Sequence, residues 1–200
     1  IRVGDWVEVT RAGEGIPQIL GPVRARRTGR ERRFRPPAKC PVCGSTVEQP
    51  QDEVTRYCPN VSCPGRILEG VVHFASRGAM DIRGLGYERV RVLLDAGLID
   101  DVADLYDRKR LDLMRLLALE GFAEKSARQL LDAIEASKRQ PLSVLLFALG
   151  IRHVGAQVAR LLARHFGTMD ALRAADAPAI SAVPGVGPVI AEAVGGLADA

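Results

Sequence analysis

Four cysteines stand in two close pairs, and thiolates at this spacing can hold a metal ion. Two residues separate Cys40 from Cys43, four separate Cys58 from Cys63, and fourteen lie between the pairs. Each pair forms a tight turn whose backbone amides can bond sulfur, and together they supply four soft tetrahedral ligands. The pattern favours a closed structural zinc site with no open position for catalysis. Two disulfides in a secreted domain and an iron–sulfur cluster are the alternatives; the wide second gap and Gly44 favour zinc over the cluster.

A second pattern, in which two glycines flank one apolar residue, could bind phosphate. In its clearest copy, at residues 185–187, apolar residues at helical spacing precede and follow the turn, which is typical of a helix-hairpin-helix. Glycine allows positive φ and a bare backbone, and amides that begin a helix point outward at its positive end. We therefore predict backbone contacts to DNA at Gly84, Leu85 and Gly86, at Gly121, Phe122 and Ala123, at His153, Val154 and Gly155, and at Gly185, Val186 and Gly187.

These turns recur at a nearly constant period. Their last positions are residues 86, 123, 155 and 187, at intervals of 37, 32 and 32 residues, and such self-similarity indicates a repeated structural unit. Ala123 replaces the second glycine and His153 the first, so we expect these two turns to lie less closely against a ligand. Four units can pack as two pairs with approximate twofold symmetry, presenting hairpins along both strands of a duplex.

The elements that position these residues follow from hydrophobic periodicity and cap residues. Residues 1–23 are interpreted as about two strands at the end of a small barrel, with Val3, Val7 and Val9 on one face. Residues 67–75 are interpreted as an apolar connector, and the chain is helical from residue 79. The predicted helices are Tyr87–Ala96, ended by Gly97; a short one through Leu105, capped by Asp100 or Asp101; Leu111–Ala118; Glu124–Lys138; Leu142–Leu149; Ala156–Phe166, ended by Gly167; two capped by Thr168 and Asp176; and a last one with Ile190, Ala193, Val194 and Leu197 on its inner face.

The composition suits a helical bundle, with 47% hydrophobic and only 4% aromatic residues and a net charge of +4. Residues 24–35 carry seven arginines against one glutamate, Glu31. This segment is either a solvated linker or a basic strap along a phosphate backbone. We expect Trp6 to be a packing residue, His73 to be packed or hydrogen-bonded rather than a metal ligand, and His165 to lie at the surface.

No apolar run approaches the roughly 20 residues that span a bilayer, and no positive-then-apolar leader is found. The chain begins at Ile1, within a predicted strand and without methionine. We therefore expect a fragment of a longer protein that is cytoplasmic and monomeric and has no membrane partner.

In this order the motifs resemble the C-terminal half of bacterial NAD-dependent DNA ligases, over essentially all of the chain. The order of the modules is more specific than any single motif, and Glu14-Gly15 departs from the acidic-then-apolar pair usual in the family. The stretches that carry the resemblance are Val3-Gly4-Asp5 with Arg11-Ala12-Gly13 and Ile16-Pro17, the four cysteines with Asn60 and Pro64, residues 73–86, and residues 148–155.

The resemblance implies a mainly α protein in three parts. Residues 1–35 would be the C-terminal part of an oligonucleotide-binding (OB-fold) barrel with a basic linker. Residues 36–70 would be the four-cysteine zinc finger. Residues 71–200 would be a tandem helix-hairpin-helix domain with four hairpins.

The resemblance also implies a parent enzyme that seals nicks in duplex DNA with NAD and Mg²⁺. In the family a lysine of a Lys-x-Asp-Gly motif takes AMP from NAD, AMP passes to the 5′-phosphate, and the 3′-hydroxyl displaces it. Lys39, Lys109, Lys125 and Lys138 begin no such motif. We therefore expect no catalytic and no NAD-binding residue here. The segment would clamp the nicked duplex without reading sequence, hold zinc as a structural ion, and serve the adenylation domain of the same parent chain.

Two other classes of protein stay open. One is a non-catalytic zinc-finger and helix-hairpin-helix module that binds DNA structures in a repair complex. The other is a helix-hairpin-helix glycosylase, although its iron–sulfur loop follows one hairpin, whereas here the cysteines precede four. For DNA binding by the hairpins, we expect Gly185→Val with Gly187→Val to weaken binding while helicity stays nearly unchanged.

Overall fold

The computed structural model of the protein describes residues 1–13, 15–51 and 53–196. Glu14 of the departing loop and Leu197 of the last predicted helix face lie outside the described residues. Contacts between Cα atoms divide the chain into two compact units, residues 1–59 and 60–200.

The first unit contains a two-stranded antiparallel sheet, β1 Val7–Ala12 and β2 Ile16–Pro22. Arg11 pairs with Pro17, and the register shifts between Glu8 and Val9, as at a β-bulge. A single 3₁₀ turn, Arg24–Arg26, follows. The prediction of about two strands is therefore confirmed, while their assignment to an OB-fold stays a prediction.

Trp6, expected to be a packing residue, is exposed. Its side chain is 59% accessible, and the Arg26 guanidinium carbon lies 3.9 Å from the ring centroid. A cation over an indole face is favourable even at an exposed site. The packing prediction for Trp6 is therefore wrong, because the described part of this unit provides no core for the ring.

The second unit is helical. Its first helix, α1, begins at Pro64, where proline suits the first helical position, and it buries Val71, Phe74 and Ala75. The prediction of an apolar connector over residues 67–75 is wrong for this reason. The helices are α1 Pro64–Ala75, α2 Tyr87–Asp95, α3 Leu113–Leu117, α4 Glu124–Ser137, α5 Leu142–Ala148, α6 Ala156–Phe166, α7 Met169–Ala174, α8 Ala177–Ser181 and α9 Pro188–Gly195, with a 3₁₀ segment at Ala103–Tyr106.

Helix ends follow the predicted cap residues. Gly97 and Gly167 adopt positive φ of 64° and 74° where α2 and α6 end. The Thr168 hydroxyl accepts from the Ala171 amide, and the Asp176 carboxylate accepts from the Ala179 amide. The Asp101 carboxylate accepts from the amide of Ala103 at the start of the 3₁₀ segment. These predictions are confirmed.

The hairpins bury their apolar faces in two clusters, one for the first two hairpins and one for the last two. Helix α5 lies between them: Ala148 belongs to the first cluster, Leu146 to the second, and Phe147 packs against both. The Phe147 carbonyl lies 3.0 Å from His73 Nε2, and the two rings meet edge to face at 5.1 Å. The predicted pairing of hairpins is confirmed in packing, as is the interpretation of His73; twofold symmetry stays a prediction.

The domain boundary predicted between residues 70 and 71 falls inside α1, whose C-terminal half belongs to the first cluster. His165 is exposed in the last turn of α6, as predicted. Among the described residues, no helix has both the length and the apolar character needed to cross a bilayer.

Candidate metal centre and nucleic-acid interface

The sulfur atoms of Cys40, Cys43, Cys58 and Cys63 all lie within 4.8 Å of one another. The Sγ atoms of Cys43 and Cys58 are 3.4 Å apart, well beyond the roughly 2.05 Å of a disulfide bond. None of the four cysteines forms a disulfide. Four soft ligands at this separation fit a tetrahedral metal ion, and they do not fit the disulfide alternative.

The first cysteine pair is organised by its own backbone. The Gly44 amide donates to the Cys40 carbonyl at 2.9 Å, the Cys40 amide donates to the Ser45 carbonyl at 2.8 Å, and Gly44 has φ of 75°. The amides of Cys43 and Val42 bond the Cys40 sulfur and lower the pKa of its thiol, although burial opposes this shift. The knuckle therefore stabilises the thiolate form that a metal requires.

Apart from the cysteine cluster, the described part of residues 1–59 has almost no buried core. Among the described residues of this range, Cys40 alone is buried. In the segment that carries the first three cysteines, the strand pairing found among the described residues is limited to isolated bridges, between Lys39 and Thr46 and between Glu48 and Tyr57. Modules with so small a core are commonly stabilised by a metal ion.

The four hairpin turns share one backbone conformation. At the residue that begins each glycine-x-glycine pattern φ is positive: 88° at Gly84, 84° at Gly121, 64° at His153 and 89° at Gly185. Each is the third residue of a four-residue turn, the position that requires positive φ in a type II turn. Glycine takes this conformation freely, whereas a side chain there costs about 1–2 kcal/mol. His153 is therefore strained.

The middle residue of each turn serves the fold. Leu85, Phe122, Val154 and Val186 are at most 8% exposed. Their amides donate to the carbonyls of the apolar residues three positions earlier, Ile82, Leu119, Ile151 and Val183. Side chain and N–H are both engaged within the protein at these four positions, and DNA contacts there stay a prediction.

The second turn position does not need positive φ, contrary to what the glycine pattern suggested. Gly86, Ala123, Gly155 and Gly187 have φ between −95° and −79° and cap helices α2, α4, α6 and α9. This extended conformation explains why alanine is accommodated at residue 123. A Cβ built on Gly86, Gly155 or Gly187 meets no protein atom within 4 Å, so nothing within the described structure requires glycine there.

The amides that begin the four helices differ in whether a protein group accepts a hydrogen bond from them. In the described part of the chain we find no hydrogen-bond partner for the first-turn N–H groups of α2 (residues 87–89) or of α6 (residues 156–158). Such groups at a helix N-terminus attract anions. The second hairpin differs, because the Ala123 amide donates to Ser126 Oγ at 3.1 Å.

Sequence reasoning missed the charged residues around the turns. Arg83 and Arg152 occupy the same position, directly after the isoleucine that closes the turn. Each lines a groove between the first hairpin of a pair and the second helix of the next hairpin. The groove of about 390 Å³ is lined by Arg83, Gly84, Arg89, Ser126, Gln129, Leu130 and Ala133, and that of about 410 Å³ by Arg152, His153, Val189, Glu192 and Ala193. The shared Ile-Arg offset from the glycines was the signal that could have revealed them.

Arg89 ties the first pair of hairpins together. Its Nη1 donates to the Gly84 carbonyl at 2.9 Å, and its guanidinium lies 5.0 Å from the centroid of the Phe122 ring. The side chain thus holds the first turn against the buried residue of the second.

The basic segment of residues 24–35 is partly engaged. Arg27 is paired with Asp5, and Glu31 accepts from the amides of Thr28 and Gly29. Arg24, Arg30, Arg33 and Arg35 are exposed, and no ion pair is found for them among the residues that the structure describes. The segment is therefore neither a featureless linker nor fully neutralised.

Comparison with known protein families assigns three parts of the chain. Residues 39–64 match the NAD-dependent DNA ligase C4 zinc finger domain, which favours zinc as the metal. Residues 77–136 match the SAM-like helix-hairpin-helix tandem, and residues 144–196 match the helix-hairpin-helix motif. These two matches coincide with the two pairs of hairpins.

The chain is also similar to curated proteins named DNA ligase. It is 54% identical over 194 residues to that of Gemmatimonas aurantiaca, covering 97% of this chain and 28% of the relative. It is 49% identical over 194 residues to that of Rubrobacter xylanophilus, with the same coverage, and 48% identical over 195 residues to that of Roseiflexus sp. RS-1, covering 97% and 26%. The chain thus spans little more than a quarter of these relatives. It is related to the NAD-dependent DNA ligases and corresponds to a part of them, the four-cysteine zinc finger and the helix-hairpin-helix repeats.

Proposed function

We propose that this chain is the DNA-binding portion of an NAD-dependent DNA ligase and that it holds duplex DNA through backbone amides of its hairpins. The observation that carries the proposal is the repeated turn. Four times, an exposed bend precedes a helix; at α2 and α6 the first-turn amides have no hydrogen-bond partner among the described residues, and at three of the four bends a glycine stands where no protein atom requires one. A bare backbone in open space suits the close approach of a phosphate.

Contacts of this kind would position the duplex without reading its sequence. Main-chain amides and helix N-termini recognise phosphate oxygens, which are alike at every base pair. Arg83 and Arg152, both exposed beside the turns, would add charge-assisted contacts. The second hairpin should contribute least, because Ser126 occupies its Ala123 amide.

Within nick sealing the segment would supply position rather than covalent chemistry. None of its lysines begins the Lys-x-Asp-Gly motif expected of the adenylated residue. The parent enzyme would use NAD and Mg²⁺ through its adenylation domain, in the same chain. Holding the two DNA ends in register would lower the entropic cost of the displacement by the 3′-hydroxyl.

A zinc ion would be held by Cys40, Cys43, Cys58 and Cys63. Four thiolates leave no open coordination position, so the ion would stabilise the fold and take no part in the reaction. The N–H groups of Cys43 and Val42 would orient Cys40 and favour its thiolate.

A salt titration tests the proposal. We expect the affinity for a labelled nicked duplex, followed by fluorescence anisotropy, to fall linearly on a log–log scale with a slope of about −2 or steeper, if Arg83 and Arg152 beside the hairpin turns each neutralise one phosphate. A duplex of the same length and different base order should bind equally well. A flat titration between low and moderate salt would refute backbone binding.

A matched pair of variants locates the contact. Gly187→Val places a side chain in the open space before α9, whereas Gly70→Val does so on the exposed face of α1, and neither glycine has positive φ. We expect only Gly187→Val to weaken DNA binding. Equal effects of the two substitutions would argue against the hairpin as the contact.

A further inference from the structure

His153 has the backbone conformation of a glycine while carrying a side chain. Its φ of 64° matches the left-handed positions of Gly84, Gly121 and Gly185 in the other three turns. Those turns close with the same hydrogen bond without a side chain at this position. The turn hydrogen bond therefore does not require an imidazole at this position, and an exposed residue in a conformation unfavourable to side chains is a candidate for a functional role.

The surroundings of His153 place it on the proposed binding face. The residue is exposed, between Arg152 and the buried Val154. Together with Arg152, Val189, Glu192 and Ala193 it lines the groove of about 410 Å³ between the third hairpin and the start of α9. Gly84 holds the same place in the groove of the first pair, so that this position of the turn carries no side chain there, while Arg83 lines both the turn and the groove.

We propose that His153 is a side-chain contact of the third hairpin to the nucleic-acid backbone, through a ring N–H donated to a phosphate or sugar oxygen. The inference rests on the proposed function. It adds a side-chain hydrogen bond to the DNA backbone at a position where the other three hairpins have glycine and can offer only their main chain. Arg152 supplies a permanent positive charge beside the ring, and the carboxylate of Glu192 lines the same groove. The third hairpin thus contacts DNA more closely than a turn with a missing glycine was expected to.

Three variants test this inference in the same anisotropy assay, together with thermal unfolding. His153→Gly removes the ring and also relieves the strained conformation. We expect affinity for the duplex to fall about 10- to 100-fold, as for loss of a hydrogen bond to a charged group, while Tm stays the same or rises. His153→Asn, which tolerates positive φ and keeps a donor, should bind more tightly than His153→Gly. His165→Ala, the loss of an exposed imidazole on α6, should leave affinity unchanged.

A loss of affinity without a loss of Tm distinguishes a residue that contacts DNA from one that only supports the fold. If His153→Gly binds as tightly as the wild type, or if affinity and Tm fall together, the inference is overturned. These results would leave the proposed function standing as long as the wild-type protein binds DNA with the expected salt slope. A wild type that shows no such binding would remove the proposed function itself.

Discussion

The Arg27 guanidinium holds the Asp5 carboxylate with two hydrogen bonds, Nε to Oδ1 at 2.6 Å and Nη2 to Oδ2 at 2.7 Å. The Asp5 side chain is only 1% exposed, and it also accepts from the Arg2 amide at 2.7 Å. This pair joins the start of the chain to the segment that follows β2. The bonds from Arg27, the largest effect, lower the pKa of Asp5 to about 2.

The lowered pKa predicts an acid-sensitive contact in the first unit. Because the folded pKa lies below the ordinary value of about 3.9, ionised Asp5 stabilises the fold above about pH 4 and stops doing so as pH falls toward 2. We expect the protection of the Val3 and Val23 amides from hydrogen exchange, relative to the intrinsic rate at each pH, to fall over this range in the wild type. In Asp5→Asn exchange should be fast at neutral pH as well. The exposed Glu8→Gln serves as the control, and an equal effect from it would contradict the assignment.

Metal removal should separate the zinc-binding segment from the hairpins. We expect one zinc ion per chain by colorimetric assay, and we expect chelation to unfold residues 38–63, since Cys40 is the only buried residue in the described part of residues 1–59. The helical signal at 222 nm should change little, because the two hairpin cores contain no cysteine. Cys43→Ser should reproduce the effect of the chelator. Zinc content unchanged in Cys43→Ser would contradict the four-ligand site.

The two glycines of the last hairpin should respond differently to valine. Gly185 has φ of 89°, and a Cβ there would lie 3.0 Å from Leu161 Cδ1, so Gly185→Val should lower the free energy of unfolding by more than about 1 kcal/mol. Gly187 has φ of −88° and open space, so Gly187→Val should keep its stability. The double variant Gly185→Val with Gly187→Val, which the sequence analysis expected to keep its helicity, therefore combines a loss of stability at residue 185 with a loss of DNA binding at residue 187. Urea unfolding of each single variant checks this, and equal losses would contradict it.

The parts of this structure that local chemistry determines were predictable from the sequence. Thr168 and Asp176 cap helices through side chains that read directly as caps, and the cysteine spacing indicated the metal site. Helix α1 was missed because its apolar residues were interpreted as a connector, while its packing against α2 depends on tertiary contacts. The sequence also did not show that only the first glycine of each turn has positive φ, because two glycines in a pattern look alike whatever their backbone angles.

Contacts between side chains far apart in the sequence could not be predicted from the sequence either. Arg89 lies 33 positions from Phe122 and Arg27 lies 22 positions from Asp5, and charge patterning within a window does not detect such partners. Trp6 was misjudged for a related reason, because an aromatic residue in a strand packs only where a core exists. Repetition was the one long-range signal that the sequence did carry.

A buried hydroxyl pair gives a prediction about the first hairpin core. Ser137 Oγ donates to the Ile134 carbonyl at 2.7 Å and lies 2.9 Å from Tyr106 Oη, so the tyrosine must be the donor between them. Burial raises the pKa of Tyr106, and stability from this group should therefore be complete below pH 10 and decline above it.

Tyr106→Phe should lower the free energy of unfolding by about 1 kcal/mol, because Ser137 is 3% exposed and loses its only side-chain donor among the described residues. Tyr87→Phe is the matched control: this tyrosine is 46% exposed, and the change should stay within about 0.5 kcal/mol. Urea unfolding at pH 7 and at pH 10.5 measures both. We expect the gap between wild type and Tyr106→Phe to narrow at the higher pH, and a gap that widens would show that Tyr106 is not the donor.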